Sequence, residues 1–245
     1  MSPEATPRDL IATLEQTALL PDGVRERFVG YGVMGLPFRS GHVLGLRRWP
    51  ASSVGPGYTS VWHRRPDGRW SFWSTAAPEV SCTRYTGEIS DDTRVTTIEL
   101  DWPAPYRLTI GSDEPNLAWE VEVAPTRRTR MLGALARRLP GWMRSNETVL
   151  RAMGPMAGRL LGVGRLALTG LMPNGQSFRL VPSYVWTVTA SRARLDGVDL
   201  DAPAPLRRQA MIGDFRIPQG GLLAIGTVDF DPLDEAHHST RVVRA

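Results

Sequence analysis

Alternation of apolar and polar positions dominates the chain and predicts strands. The cleanest case is Leu117–Val123, where Leu117, Trp119, Val121 and Val123 alternate with Ala118, Glu120 and Glu122. The same period runs on both sides of Arg65-Pro66-Asp67-Gly68-Arg69 within Tyr58–Thr75. There Pro66 presets its own φ and Gly68 accepts a positive one, so the segment predicts a hairpin. A three-residue loop with a bulge at Gly68 sets Arg65 opposite Arg69 and Trp62 opposite Phe72. One face then carries Tyr58, Ser60, Trp62, Arg64, Trp70 and Phe72, and the other Thr59, Val61, His63, Ser71 and Trp73. With aromatics on both faces, the hairpin is either sheet core covered on both sides or a cavity wall.

Further strands are expected at His42–Trp49, Arg94–Asp101 and Tyr106–Ile110. With the hairpin and Leu117–Val123 these make an antiparallel meander over residues 42–124, in which Glu79–Tyr85 is irregular or a short strand. Pro173-Asn174-Gly175 joins Arg165–Met172 to Gln176–Val181. Ser183–Ala190 alternates again, Asp196-Gly197 marks a turn, and Met211–Ile217 and Leu222–Phe230 flank Pro218-Gln219-Gly220-Gly221.

Helical spacing occurs in two places. Residues 6–20 have Thr6 as N-cap, Pro7 at the first helical position and Asp9 completing a capping box, with Leu10, Ile11 and Leu14 as the apolar stripe. Residues 129–164 predict a helical pair. Met131, Leu132, Leu135 and Leu139 mark its first member. The second is capped by Ser145, carries Val149, Leu150, Met153, Met156, Leu160 and Leu161 on one face, and is kinked at Pro155. The expected fold is mainly β, antiparallel and barrel-like, with an N-terminal helix and an inserted helical pair. Residues 1–232 are expected to form a single domain: a β block at 28–124, the helical pair at 129–164 and a β block at 165–230. Residues 233–245 are a polar tail.

Composition narrows the chemistry. The chain has 245 residues, and all 29 of its basic residues are arginine. Without lysine it has no Schiff-base amine, no pyridoxal phosphate anchor and no phosphate-loop lysine. One cysteine, Cys82, excludes an intramolecular disulfide and cysteine-cluster metal sites. No apolar run reaches about 18 residues and the N-terminus has no secretory pattern, so a cytoplasmic location is expected. Nine arginines and one acid, Glu147, lie between Arg127 and Arg165. This localised charge is a solvated helix face or a contact with an anionic membrane surface. Nucleic acid is not expected as a partner, because no recognition motif accompanies the charge. Gly30-Tyr31-Gly32-Val33-Met34-Gly35 spells the dinucleotide-binding glycine pattern. Pro37 stands where a helix should open and no acid follows about 20 positions on, so a glycine-permitted bend or close backbone packing is the expectation.

The candidate proton-transfer residues are His63, Tyr85, Tyr184 and Asp214, each with a plainer structural role beside it. His63 lies within the aromatic hairpin and has a suitable pKa range; the alternative is a hydrogen-bonded strand histidine. Tyr85 and Tyr184 could donate to a carbonyl or simply pack in a core. Asp214 precedes Phe215 in a run that looks buried on both sides, where its pKa would rise; a turn-capping aspartate is the rival. Cys82 is expected to be a buried structural thiol. A zinc site on His42 and His63 would need a tail histidine as well, so no metal is expected.

The hairpin 58–75, the strand 183–190 and the segment 213–226, GDFRIPQGGLLAIG, resemble the lipocalin-like (calycin) proteins. These include two-lobed forms similar to carotenoid hydratases and cyclases. The resemblance implies a hydrophobic small molecule held inside a barrel. Its walls would include Tyr58, Trp62, Arg64, Trp70, Phe72, Trp73, Trp119 and Trp186. The implied function is binding, or a cofactor-independent cyclisation, isomerisation or hydration of a polyketide- or terpenoid-like substrate. The alternative is a non-catalytic lipid carrier or membrane-surface protein that uses the arginine-rich helices.

Overall fold

The computed structural model describes residues 5–138 and 140–240. Helix α1 (Pro7–Thr17) begins as expected, with the reciprocal Thr6–Asp9 capping box and Pro7 in its first turn. It ends three residues short of the expected 20, at the Ala18 cap. Strands β1 (Glu26–Val33), β2 (Leu36–Pro37), β3 (Val43–Ser52), β4 (Tyr58–Arg64) and β5 (Trp70–Ser74) follow. Then come the short α2 (Thr83–Thr86), β6 (Ser90–Val95), β7 (Glu99–Ala104), β8 (Arg107–Ser112) and β9 (Leu117–Ala124). Helices α3 (Arg127–Arg138), α4 (Gly141–Ser145) and α5 (Glu147–Leu161) separate these from β10 (Thr169–Leu171), β11 (Ser177–Leu195), β12 (Val198–Asp199), β13 (Met211–Ile212), β14 (Phe215–Arg216) and β15 (Leu222–Phe230).

The protein is mainly β. One large sheet runs in the order β6-β5-β4-β3-β1-β15-β11-β9-β8-β7, so strands from both expected β blocks share it. The central hairpin has the register that its turn dictates. Trp62 faces Phe72, the Arg65 N–H donates to the Arg69 carbonyl at 2.9 Å, and Gly68 has φ 99°.

Two expectations need correction. The sheet is mixed, because β6 pairs in parallel with β5. Residues 42–124 are also not one meander: β6 and β7, adjacent in sequence, stand at opposite ends of the strand order. Alternation specifies a strand's faces but not its neighbour, so neither feature is encoded in the pattern. No pairing joins β6 to β7 among the described residues, and no closed barrel is found.

Smaller differences have local causes. The expected irregular stretch at Glu79–Tyr85 contains a 3-10 turn and α2. Strand β11 runs straight through Pro182, which a bulge before Tyr184 accommodates. The cap of α5 is Asn146, whose Oδ1 accepts from the Thr148 and Val149 N–H groups, rather than Ser145. Glycine serves close approach in two places. A Cβ at Gly30 or Gly32 would overlap the carbonyl oxygens of Arg48 and Leu46, so β1 carries no phosphate loop. A Cβ at Gly154 or Gly158 of α5 would meet the Leu166 and Gly164 carbonyls of the returning chain.

The sheet is covered on both faces. One face carries a core that draws on both ends of the strand order, from Val61 and Trp73 to Leu108 and Ile110. Ile11 of α1 packs into it. The opposite face carries a second, aromatic core with Phe28, Tyr58, Trp62, Phe72, Phe178 and Phe230. The crossover with α2 and the β13–β14 hairpin add Tyr85 and Phe215 to this second core. No helix among the described residues is long and apolar enough to cross a membrane. Of the polar tail, residues 241–245 lie outside the described residues. Ahead of them, His237 pairs with Asp234 at 2.7 Å and the Ser239 N–H donates to the Asn174 carbonyl.

Candidate anion-binding cavity around Arg47

Alternation along β3 puts Arg47 on the face of Val43 and Trp49, the face of the aromatic core. The next residue, Arg48, points to the other face and pairs with Glu15 of α1 at 2.7 Å. Arg47 has no such partner: no carboxylate pairs with it among the described residues. It is 2% exposed. One guanidinium nitrogen donates to the carbonyls of Val33 and Leu46, at 2.8 and 2.7 Å. A second, Nη2, is buried without a hydrogen-bond partner. The guanidinium lies 4.1 Å from the Trp62 ring centroid and 5.4 Å from that of Phe215. Burial lowers its pKa to about 10, an effect partly offset by the nearby Cys82 and Tyr58. At neutral pH the group is therefore a cation in an apolar wall.

Two further polar groups on this face are orphaned. The Trp62 Nε1–H is buried without an acceptor, and so is Ser60 Oγ, directly across the ladder from Arg47. Buried polar groups are nearly always paired, and an unpaired charge is the most expensive exception. Arg47 and Trp62 border a cavity of about 40 Å³ with Phe28, Phe178, Phe215 and Phe230 in its wall. Tyr58 and Cys82 border it too, with the tyrosine oxygen 3.4 Å from Sγ. Burial and the adjacent Cys82 hold the Tyr58 hydroxyl well above its ordinary pKa, so it stays protonated.

The expected site residues divide between the two faces. Tyr58 and Trp62 line the cavity, and Trp70 and Phe72 pack in the core behind it. Arg64 is half-buried and donates to the Arg65 carbonyl. Trp73, Trp119 and Trp186 belong to the core on the opposite face. Of the four proton-transfer candidates, only Tyr85 reaches this cavity, and its hydroxyl is engaged elsewhere. It donates to Glu26 Oε2 at 2.5 Å, while the ring stacks on Phe230 with centroids 3.8 Å apart. Burial by itself would raise the Glu26 pKa; the Arg84 fork, Tyr85 and Gln176 overcome it and hold the carboxyl below its usual range.

His63 points to the other face. Its Nε2 lies 2.8 Å from His42 Nδ1, and the rings are nearly coplanar, 8° apart with centroids at 5.1 Å. That separation is the nitrogen–nitrogen distance plus the two ring radii, so the contact is an in-plane hydrogen bond rather than a stack. Burial, with a smaller contribution from His42, lowers the His63 pKa to about 3. Tyr184 stacks on Trp186 and lies under the Arg137 guanidinium, 4.4 Å from its ring centroid. Asp214 is exposed. Gly213, with φ 56°, folds the run expected as a single buried strand into the β13–β14 hairpin, and the Asp214 carboxylate caps the Leu171 N–H at 2.9 Å. It is the turn-capping aspartate, not a carboxylate in an apolar wall. Among the described residues no three metal-ligating side chains converge.

Arg47 was not singled out in the sequence. Its signal was the pair Arg47-Arg48 inside a predicted strand, which must send one charge to each face.

No family model and no curated protein matches the chain. Among solved structures it overlaps the crystal structure of acetoacetate decarboxylase from Legionella pneumophila subsp. pneumophila, at 10% identity and a TM-score of 0.39. The overlap covers 93% of this chain and 90% of that one. At that score the likeness lends nothing to the assignment of function.

Proposed function

We propose that the protein binds a small apolar acid in the aromatic cavity, with its anionic group on Arg47. The carrying observation is the buried, charge-unpaired guanidinium with its orphaned Nη2. A bound carboxylate would supply both the missing counter-charge and the missing acceptor, and carboxylates suit a guanidinium edge. The orphaned Trp62 N–H offers a second donor.

Where the ligand is a substrate, the chemistry follows from the same wall. Arg47 stabilises an enolate or carboxylate in a dry site, where such charge pairing is strongest. Tyr58 and Cys82 are the groups placed to pass a proton. The aromatic rings shape an apolar substrate for isomerisation, cyclisation or hydration without a bound cofactor, in a sheet curled as a barrel-like shell. His63, Tyr184 and Asp214 play no part in the cavity.

Butyrate and its neutral counterpart butyramide test the proposal by ligand-observed NMR at millimolar concentration. Butyrate binds, butyramide does not, and Arg47→Met abolishes the difference. Equal binding of acid and amide, or no binding of either, overturns it.

A second reading concerns the helices. Arg127, Arg128, Arg138, Arg151 and Arg159 are exposed there, alongside the exposed apolar side chains of Met131, Leu135, Trp142 and Met156. Basic and apolar groups exposed on the same run of helices suit an anionic lipid bilayer. We propose this surface as a reversible membrane contact.

A further inference from the structure

We propose that the Arg47 cavity continues as a narrow apolar channel beneath α3 and α5, so that the ligand is a monocarboxylate with an unbranched hydrocarbon tail. This rests on the assignment of Arg47 as the carboxylate site. A groove of about 90 Å³ lies between the two helices and the sheet, walled by Leu132, Leu135, Met153, Met156 and Leu222. It shares Leu180 and Phe215 with the Arg47 cavity. A third void, of about 20 Å³, shares Trp49, Leu180 and Val228 with that cavity, and Met34, Leu180 and Ala224 with the groove. Leu180 therefore borders all three spaces.

The sequence of spaces has a direction. Its inner end is a cation with an unfilled donor, and its middle is apolar. Its outer end opens beside Leu135 and Met156, which are 49% and 55% exposed. An amphiphile with one charged end matches that order, whereas a bulky fused-ring molecule does not fit a string of small voids. The shared side chains are ones that yield. Leu180 is only half-buried, and Phe215 sits on a two-residue strand of a two-stranded hairpin. The methionines at 34, 153 and 156 line the groove with flexible, unbranched side chains that readily repack. α3 and α5, which wall the groove, carry several arginines, and their positive charge attracts an anionic head towards this end of the molecule.

Calorimetric titration with straight-chain acids from butyrate to dodecanoate tests the channel, using the wild type and Ala157→Phe, which fills the groove from α5. In the wild type, affinity rises roughly three- to fourfold for each methylene that becomes buried. In Ala157→Phe, butyrate binds as before while the gain with length stops early. Ala136→Phe, on the facing helix, is the second variant should the first not fold. Wild-type affinity that stays flat with chain length overturns the channel, as does a filled groove that leaves dodecanoate unaffected or weakens butyrate and dodecanoate alike. Failure of the underlying site looks different: butyrate does not bind, or Arg47→Met changes no affinity in the series.

Discussion

The guanidinium of Arg47 lies over the indole of Trp62, 4.1 Å from its centroid, with no carboxylate paired to it among the described residues. The lowering of its pKa from 12.5 to about 10, the net of burial and the opposing Cys82 and Tyr58, corresponds to a penalty of about 3 kcal/mol on the charged form. The two carbonyl hydrogen bonds return about 1 kcal/mol each. A residue that opposes folding is explained by what it binds, since stability is commonly sacrificed at functional sites. Arg47→Met should therefore leave the free protein no less stable while eliminating acid binding. Chemical denaturation read beside the butyrate titration checks both halves. A variant that is destabilised and still binds butyrate would contradict this account.

The hairpin register was legible because one turn sets it: Pro66 and Gly68 favour a three-residue loop over a two-residue one that would set Trp62 opposite Ser71, and Trp62 meets Phe72. The α1 cap was legible for the same reason, since Thr6, Pro7 and Asp9 act within one turn. The parallel partner of β5 was not, because nothing in the alternation of residues 90–95 names a neighbour. For Asp214 the sequence left two roles open, and Gly213, which breaks a run whose apolar spacing looked continuous, leaves it the turn-capping one. The site itself was half visible. Tyr58 and Trp62 stood out, but β3 is covered on both faces, so hydropathy could not tell which of Arg47 and Arg48 would find a counter-ion. That depended on Glu15, far away in sequence on α1.

The histidine pair makes the fold acid-sensitive. His63 titrates at about 3 when folded and near its ordinary 6.5 when unfolded. Below pH 6.5 the unfolded chain takes up a proton that the folded chain refuses. The stabilisation is thus complete above about pH 6.5 and is lost progressively as pH falls towards 3, with a limiting slope of about 1.4 kcal/mol per pH unit. His42, also lowered by burial, adds in the same direction. Glu26 and Asp231, held below the usual carboxylate range, matter only at lower pH, so the interval from 6.5 to 5 isolates the histidines. Urea midpoints should fall across that interval in the wild type and fall by less than half as much in His63→Gln. A wild-type midpoint independent of pH there would refute the assignment.

Two glycines at the end of α5 should respond to alanine in different ways. Gly158 is helical, so alanine gains about 1 kcal/mol of helix propensity. Its Cβ, however, would overlap the Gly164 carbonyl oxygen and stand 3.1 Å from the Leu166 nitrogen, both backbone atoms that cannot swing aside. Overpacking of that kind costs about 1–3 kcal/mol, and the helix must shift away from the returning segment at 164–166 to relieve it. Gly162 meets nothing within 4 Å but has φ 69°, so Gly162→Ala costs about 1–2 kcal/mol of left-handed strain alone. Gly158→Ala should also weaken dodecanoate binding by displacing the groove wall, whereas Gly162→Ala leaves it near wild type. Denaturation midpoints and titrations of the two variants check the contrast, and equal effects on ligand binding would count against helix position as the cause.

The arginine-rich helices supply the remaining prediction. Arg151 and Arg159 lie on one exposed stripe of α5, two turns apart, and Trp142 of α4 is 66% exposed. A solvated face needs the charges but gives no reason for the exposed indole, whereas an interfacial contact uses both. Co-sedimentation should show binding to vesicles containing anionic phosphatidylglycerol, weak binding to phosphatidylcholine alone, and loss of binding on raising salt from 0.05 to about 0.5 M, because the attraction is screened within a few ångströms at the higher strength. Each neutralised arginine near the surface removes about 1 kcal/mol, so Arg151→Gln with Arg159→Gln should weaken binding by about 30-fold. Trp142→Ala should weaken it further and less salt-dependently, since its contribution is apolar. Equal binding to neutral and anionic vesicles, or none to either at low salt, would leave these helices as a solvated cover over the groove.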